Sequence, residues 1–515
     1  MTRLPSTWFG ALAILASVLF SSTLRAEPPA FRAGFAERDV SPAIGMEQPG
    51  GYGKAHHTAF HDPCKARAAV FDDGSTRVAV VGLDALLIRA RTVRNIREQV
   101  RKRAGIEPGA ILISASHTHS GGPTGFLLPG ELDGDDVSPA VRSLAYDHSV
   151  VADPKYLETV ERGIVEAVCE ANSRLAPARA AAGFGVGDRV AFNRRFTMKQ
   201  GRAMTHPGVG NPDILEPAGP TDPQVGVIGC WDVDGKLKGC IVNFACHATT
   251  GPPGISADYV AYIEKAVRGV FGEQAVVVFV PGAAGDVTQV NNRAPHKIAQ
   301  FGEVSARFVG GHVGAEAVKV LLGLEQSAGP LVPVAAAGKV LRVERRRPSP
   351  EHLAAATDLA SKDSKGADPT DWAFAKETVV LAARIAREPV ADVEVQAVQV
   401  GPAVLLACPA EYFCAFGLDL KARSKFPFTF PVSLANDCVG YVPTEEALTP
   451  GPRGGGYETR LTSYSNLVPD AGRRMADALD ELSAGLRPGA IPAPPPLPPF
   501  SGRPWTYGSL PPQRD

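Results

Sequence analysis

Four apolar runs in this chain each lead into residues that can bind a metal ion, hold an anion or move a proton. ILISAS (111–116) leads into His117-Thr118-His119, CIVNFAC (240–246) into His247, AVVVFVP (275–281) into the turn GAAGDVT (282–288), and AVLLACPA (403–410) into Glu411. Short β-branched runs of this kind read as buried strands. In α/β sheets, ligands gather at the carboxyl ends of strands. Histidines and a carboxylate from distant stretches are therefore expected to converge on one pocket, and two histidines with one carboxylate form a ligand set of catalytic zinc sites.

Each piece also has a plain structural reading. In an extended segment, positions i and i+2 face the same way, so His117 and His119 would point into one cavity, with Gly121-Gly122-Pro123 leaving room beside them. His247 reads equally as a satisfied core histidine, and Glu411 as negative charge near a helix start. GAAGDVT reads either as an anion-holding nest or as a turn in which Asp286 caps a helix. No GK[ST] follows it, so it is not a phosphate-cradling loop. No GxSxG elbow occurs, which speaks against an α/β-hydrolase serine enzyme. Asn193-Arg194-Arg195 reads as a solvated face unless the arginines meet a carboxylate or an anionic intermediate. Tyr457-Glu458 follows three glycines in a flexible stretch.

The elements that must position these residues alternate. Strands are expected within 31–42 and at 66–71, 77–83, 111–116, 180–185, 225–231, 238–245, 275–281, 391–400, 403–408 and 428–433. Helices are expected at 91–104, 155–174, 258–271, 301–323, within 350–388 with a loop at 361–370, and at 470–484. Residues 121–153, rich in Gly, Pro and Asp, read as a long loop of the kind that often carries function. The pattern is that of an α/β protein, with mixed β-sheets flanked by helices in a single large catalytic domain spanning 27–486. From Arg487 a Pro-rich segment, 487–515, reads as an extended or disordered tail.

Residues 1–26 read as an export signal, with Arg3 ahead of an apolar stretch from Trp8 to Phe20 that is too short to span a bilayer. Export permits disulfides among the eight cysteines; Cys64, Cys230, Cys240, Cys414 and Cys438 are the candidates, while Cys246 and Cys408 read as core. The formal net charge of -1 gives no reason to expect nucleic acid as a partner. Oligomeric state is not readable.

Taken in order, the motifs resemble the catalytic domain of the neutral, non-lysosomal ceramidases, from about Ala33 to Leu486. AGFAERDVSP is similar to that family's first strand and turn, SHTHSGGP to its THTHSGPGG segment, NRR (193–195) to its Asn-Arg-Ser, and NFACHATT to its second histidine site. GAAGDVT stands at N-x-G-D-V-S-P-N, and GYVPTEEAL…GGGYE resembles Y-[IV]-T-T-x-E-E-Y…YE. The resemblance implies zinc held by His117, His247, Glu411 and Tyr457. His119 would be a supporting or acid/base histidine near the bound water, Arg194 would help hold the carbonyl oxygen or the oxyanion, and Thr288 would stand at the motif serine. It implies an exported hydrolase acting on the amide bond of ceramide or a related N-acyl lipid, and it allows peripheral contact with a membrane. The chain departs from the pattern at Thr288 and at Gln289-Val290, where the family has Ser and Pro-Asn.

The residues themselves suggest attack by a metal-activated water. Rival readings are Thr288 as a nucleophile, a non-catalytic exported protein that binds lipid or glycan in a degenerate pocket, and an additional Mg²⁺ or Ca²⁺ site at Asp84 or Asp286.

Overall fold

The computed structural model describes residues 31–362, 368–494, 496–502, 505, 508 and 510–514. The expected export signal, 1–26, lies outside them. Three βαβ units organise the chain. Arg77–Leu83, the helix Ala90–Ala104 and Ile111–Ala115 form the first; Leu237–Phe244, Tyr259–Phe271 and Val276–Pro281 the second; Ala403–Ala407, Cys414–Arg423 and Phe428–Val432 the third. In each unit the two strands pair in parallel, as a helical crossover permits.

Each parallel pair is extended by antiparallel strands into its own sheet. The first sheet adds Lys65–Asp72, Arg32–Asp39 and Ala176–Pro177; the second adds Gln224–Trp231 and Arg179–Val186; the third adds Val390–Val400 and Val334–Glu344. Apolar side chains from all three sheets, among them Val80, Ile113, Ile241, Val278, Leu405 and Phe430, share one buried core. This is the expected α/β architecture of mixed sheets and flanking helices.

A four-residue strap, Ser433 to Asn436, ties the sheets together. Its N–H groups donate to Pro281 O of the second sheet, to Ala410 O and Cys408 O beyond the third, and to Ile113 O of the first, at 2.8–3.1 Å. Asn436 Oδ1 and Ser433 O accept from Ile113 N and Ser114 Oγ in return. Leu434 and Asn436 adopt positive φ, 51° and 66°, a conformation Asn tolerates better than most residues.

A buried ion cluster joins the first sheet to the helix Tyr259–Phe271. Arg67 Nη1 lies 2.6 Å from Asp84 Oδ2, and Arg67 Nη2 lies 2.6 Å from Glu264 Oε2. Lys65 and Arg268 also pair with Glu264. Burial pushes the Asp84 carboxyl up to about 6 despite Arg67. For Glu264, Arg67 and Lys65 outweigh burial and hold it down to about 2.

The structure departs from the sequence reading in places. Helix Pro139–Tyr146, capped by Ser138, interrupts the stretch read as loop. Strand Val334–Glu344 was not expected: it holds three consecutive alanines and is half-exposed. Helix Cys414–Arg423 gives the helix start that one reading of Glu411 placed beside it. All eight cysteines are free, so none of the expected pairings forms. The tail begins by docking, with Gly489 N donating to Gly401 O at 3.0 Å. No helix among the described residues is long and apolar enough to cross a membrane.

Candidate metal centre

Each βαβ unit delivers one side chain to a common point. His117 follows Ile111–Ala115, His247 follows Leu237–Phe244, and Glu411 follows Ala403–Ala407. Glu411 Oε2 lies 3.2 Å from His117 Nε2 and 3.2 Å from His247 Nε2. All three residues are buried, with donor atoms within 4.8 Å of one another; no other such group of His, Cys, Asp or Glu occurs among the described residues.

The hydrogen bonds behind the imidazoles determine what faces inward. His117 Nδ1 meets Leu86 O at 2.9 Å. His247 Nδ1 meets Ala284 O at 2.7 Å and Val287 O at 3.1 Å. A carbonyl only accepts, so each neutral ring carries its proton on Nδ1 and turns a bare Nε2 lone pair toward Glu411. This carbonyl-to-histidine arrangement is what orients metal-binding histidines. Burial, and next the charge of Arg194, push His247 down to about 4, so its neutral form prevails at neutral pH. Burial opposes ionisation of Glu411, but the imidazoles of His117 and His247 outweigh it and hold the carboxyl well below its usual range. With each Nδ1 proton committed to a carbonyl, the Glu411 carboxylate 3.2 Å from both Nε2 atoms is bridged to them either by a second ring proton or by a cation between them. The donor set fits a divalent ion, and His₂Glu is a zinc pattern.

The HxH geometry differs from the sequence expectation. His117 has φ 68°, so the segment is not extended; the left-handed turn at His117 aims its ring at the cluster. Strained backbone of this kind gathers at functional sites. His119 still arrives beside it, Nε2 to Nε2 at 3.4 Å with the rings edge-on. Burial, then the neighbouring imidazoles, depress its pKa well below the ordinary histidine value. Gly50, at φ 94°, covers His119: a Cβ there would lie 2.2 Å from His119 Nδ1.

A second tyrosine stands where one phenol was expected. Tyr441 Oη is 3.4 Å from His247 Nε2, whereas Tyr457 lies behind it, Oη to Oη at 3.1 Å. Tyr441 thus brings a phenol to the cluster, and Tyr457 stands next to it in the wall of the same cavity. Arg194 Nη2 donates to Tyr441 Oη at 3.0 Å and to Gly285 O at 2.9 Å, while Arg194 Nε donates to Glu458 Oε1 at 2.6 Å. Tyr441 Oη thus accepts from Arg194 and Tyr457, leaving its own proton for a partner on the cluster side. Two clues to Tyr441 and Glu458 stood in the sequence: Tyr441 opens the YVPTEEAL motif, and an arginine pair next to a carboxylate is no longer a solvated face.

Beyond the cluster lies a cavity of about 120 Å³, whose walls include His117, His119, Glu411, Tyr441 and Tyr457. Arg194 and Thr288 do not line it. Arg194 stands behind Tyr441 and Tyr457, with its guanidinium over both rings. The Thr288 hydroxyl donates to Gln289 Oε1 at 2.7 Å and lies 3.4 Å from Thr249 Oγ1. GAAGDVT is no anion nest: the N–H groups of Gly282 and Gly285 are spent on Phe244 O and Tyr412 O, and the turn offers carbonyls to His247 instead. Asp286 caps a helix, as one reading held, but a distant one: its Oδ1 accepts from Cys414 N at 2.8 Å. Asp84 is committed to Arg67. Neither aspartate belongs to a group of potential metal ligands.

The chain is 26% identical to the neutral ceramidase of Pseudomonas aeruginosa over 246 residues, 46% of this chain and 33% of the relative. It thus matches about a third of that relative's length. The crystal structure of neutral ceramidase from Pseudomonas aeruginosa superposes with a TM-score of 0.65 at 18% identity, covering 90% of this chain and 77% of that one. A structure of ceramidase complexed with C2 superposes with a TM-score of 0.62 at 18% identity and the same coverage. No protein-family model matches the chain.

Proposed function

We propose that this chain, a divergent relative of neutral ceramidase sharing its fold, is a zinc-dependent hydrolase that cleaves the amide bond of ceramide or a related N-acyl lipid. The observation that carries the reading is the pair of carbonyl-fixed imidazoles converging with Glu411 on one point at the wall of a cavity. His117, His247 and Glu411 would hold the ion, with the adjoining phenols of Tyr441 and Tyr457 as the neighbouring oxygens. A zinc ion bound there lowers the pKa of water to about 7 and polarises a carbonyl.

The protein's own groups supply the rest. His119, kept neutral by burial, is placed to take a proton at Nε2 and return it to the leaving amine. Tyr441, steadied by Arg194 and Tyr457, presents its hydroxyl to the oxygen on which negative charge develops. Arg194 is a positioning residue, fixed between Glu458 and Tyr441. The apolar stretch from Trp8 to Phe20 supports export, and the relative's name supports a lipid substrate.

The test is metal analysis of the purified protein followed by a panel of N-acyl amides and esters. Bound zinc with amide hydrolysis is the expected result. Bound zinc with no turnover across the panel would replace the hydrolase reading with that of a binding protein. His119→Ala is expected to keep its metal and lose about 10²–10⁴-fold in kcat/KM. Gly50→Ala, which drives a Cβ into the same ring, should reproduce part of that loss. Unchanged kcat/KM in both variants would remove His119 from the reaction.

A further inference from the structure

One wall of the cavity comes from outside the three βαβ units. Residues 45–57 form a short hairpin loop, in which Gly45 N donates to His57 O, Gln48 N to Ala55 O and His57 N to Met46 O, at 2.8–3.0 Å. Its tip, Gly50-Gly51-Tyr52, lines the cavity, and residues 50–56 are exposed. The stem of the loop rests on the segment that carries His117 and His119. Gln48 Nε2 donates to His119 O at 3.1 Å, and His57 Nε2 meets Gly121 O at 2.8 Å. The Gly50 backbone abuts the His119 ring.

The tip is fastened differently, by one ammonium. Lys376 stands on helix Pro369–Arg387 with its side chain 1% exposed. It donates to Tyr52 O in the tip, and to His148 O and Ser149 Oγ beyond it, each at 2.8 Å. An ammonium has three donors, so all are committed and none is left for a ligand. The Glu377 carboxylate, 3.3 Å away, supplies the counter-charge. Among the described residues, Tyr52 O is the one backbone group of residues 50–54 bonded outside the loop. The Tyr52 ring packs on Phe374 of the same helix, centroids 5.4 Å apart, and meets Tyr457 and Tyr464 at 6.3 Å.

The volume behind this tip is about 120 Å³, below the roughly 300 Å³ of ordinary ligand pockets. An N-acyl lipid needs more room, and the tip is the wall with the fewest fastenings. Gly45 and Gly50, at φ 93° and 94°, give its first arm backbone freedom that other residues lack. Closing loops of this kind exclude water and complete a site, and their opening admits and releases ligands.

We propose that Lys376 is a positioning residue, a latch that holds loop 45–57 shut over the cavity and against His119, and that substrate enters when the loop lifts. This rests on the hydrolase reading for what enters, but not for the latch itself.

The experiment uses the full, metal-loaded chain and two variants. Lys376→Met removes the latch, and Gln48→Leu releases the same loop from its half-buried stem without touching the helix. Hydrogen exchange read by mass spectrometry follows the loop. Losing one charge-assisted hydrogen bond should speed exchange at the Gln48 and His57 amides by about tenfold or more, with strand Ile111–Ala115 unchanged. Turnover and calorimetric binding are compared for one amide carrying a short or a long acyl chain. With the loop released, kcat for the short amide should fall, because His119 loses its support, while the long-to-short ratio of kcat/KM rises severalfold. A merely structural lesion lowers both amides alike and leaves the ratio intact. Should Lys376→Met loosen the whole fold, Gln48→Leu decides: faster exchange confined to the loop, with a raised ratio, supports the gate. Unchanged loop exchange in both variants, or an unchanged ratio where the loop exchanges faster, overturns it. Faster loop exchange with a raised long-to-short binding ratio, but no hydrolysis of either amide by any form, supports the gate and overturns the hydrolase reading instead.

Discussion

Replacing His117 by alanine is expected to remove bound metal and turnover together. His117 provides one of the inward-facing Nε2 atoms, 3.2 Å from Glu411, and it is held there by Leu86 O and a left-handed backbone. Alanine leaves Glu411 and His247 as two ligands, too few for a tetrahedral ion that also carries water. The metal content should fall to background. Turnover should fall by a factor on the order of 10⁴ or more, because free water titrates near 15.7 rather than about 7. His247→Ala and Glu411→Gln should behave the same way. Elemental analysis and kcat/KM on the same preparations check this; full hydrolysis by metal-free His117→Ala protein would sink the reading.

Arg67→Met should be among the most destabilising single changes in the molecule. Arg67 is 2% exposed and serves two carboxylates, Asp84 and Glu264. Removing one partner from a buried pair costs about 3–5 kcal/mol, because the remaining charge is left uncompensated. The lesion reaches the metal centre through Asp84. That residue opens the turn whose next two carbonyls, Ala85 O and Leu86 O, accept from His117 N and His117 Nδ1. The pH dependence has a definite sign. Glu264 is held down to about 2 from 4.5, so its contribution is complete above about 4.5 and is lost as pH falls through about 2. The gap in apparent Tm between wild type and Arg67→Met should be wide at pH 7 and narrow as the pH is lowered from 4.5 toward 2. A variant as stable as wild type at pH 7 would mean that the cluster is not what joins the sheet to its helix.

The three residues of the candidate metal centre were legible in the sequence for a simple reason: each follows a short, continuous apolar run, and such runs are what buried parallel strands require. His117, His247 and Glu411 were placed at strand ends, and strand ends are where the fold uses them. What could not be read was direction. Whether Tyr441 or Tyr457 points at the cluster depends on how the stretch from Gly440 to Glu458 folds back, and both tyrosines have the right chemistry. Arg194 could be recognised as a residue that needs a carboxylate, but not that Glu458 would supply it and leave Tyr441 between the guanidinium and the cavity. Thr288 sat in the right motif, yet its hydroxyl is consumed by Gln289, which stands in the motif's proline position. Lys376 and Glu377 also line the cavity, and nothing in the sequence pointed to it, since helical periodicity does not say which turn of a helix meets a cavity.

The strap from Ser433 to Asn436 gives metal affinity a global meaning. The ligand triad draws on three separate crossover units, and one short segment is hydrogen-bonded to all of them at once. No two units suffice to assemble the site, so an apo chain must dock all three before it can capture an ion. By linkage, occupancy then favours the fully docked state over every partly opened one, by about 4 kcal/mol when the free ion is a thousandfold above Kd. The ion would act as a keystone for the tertiary arrangement, and its loss would loosen regions far from the cavity as well as the cavity itself.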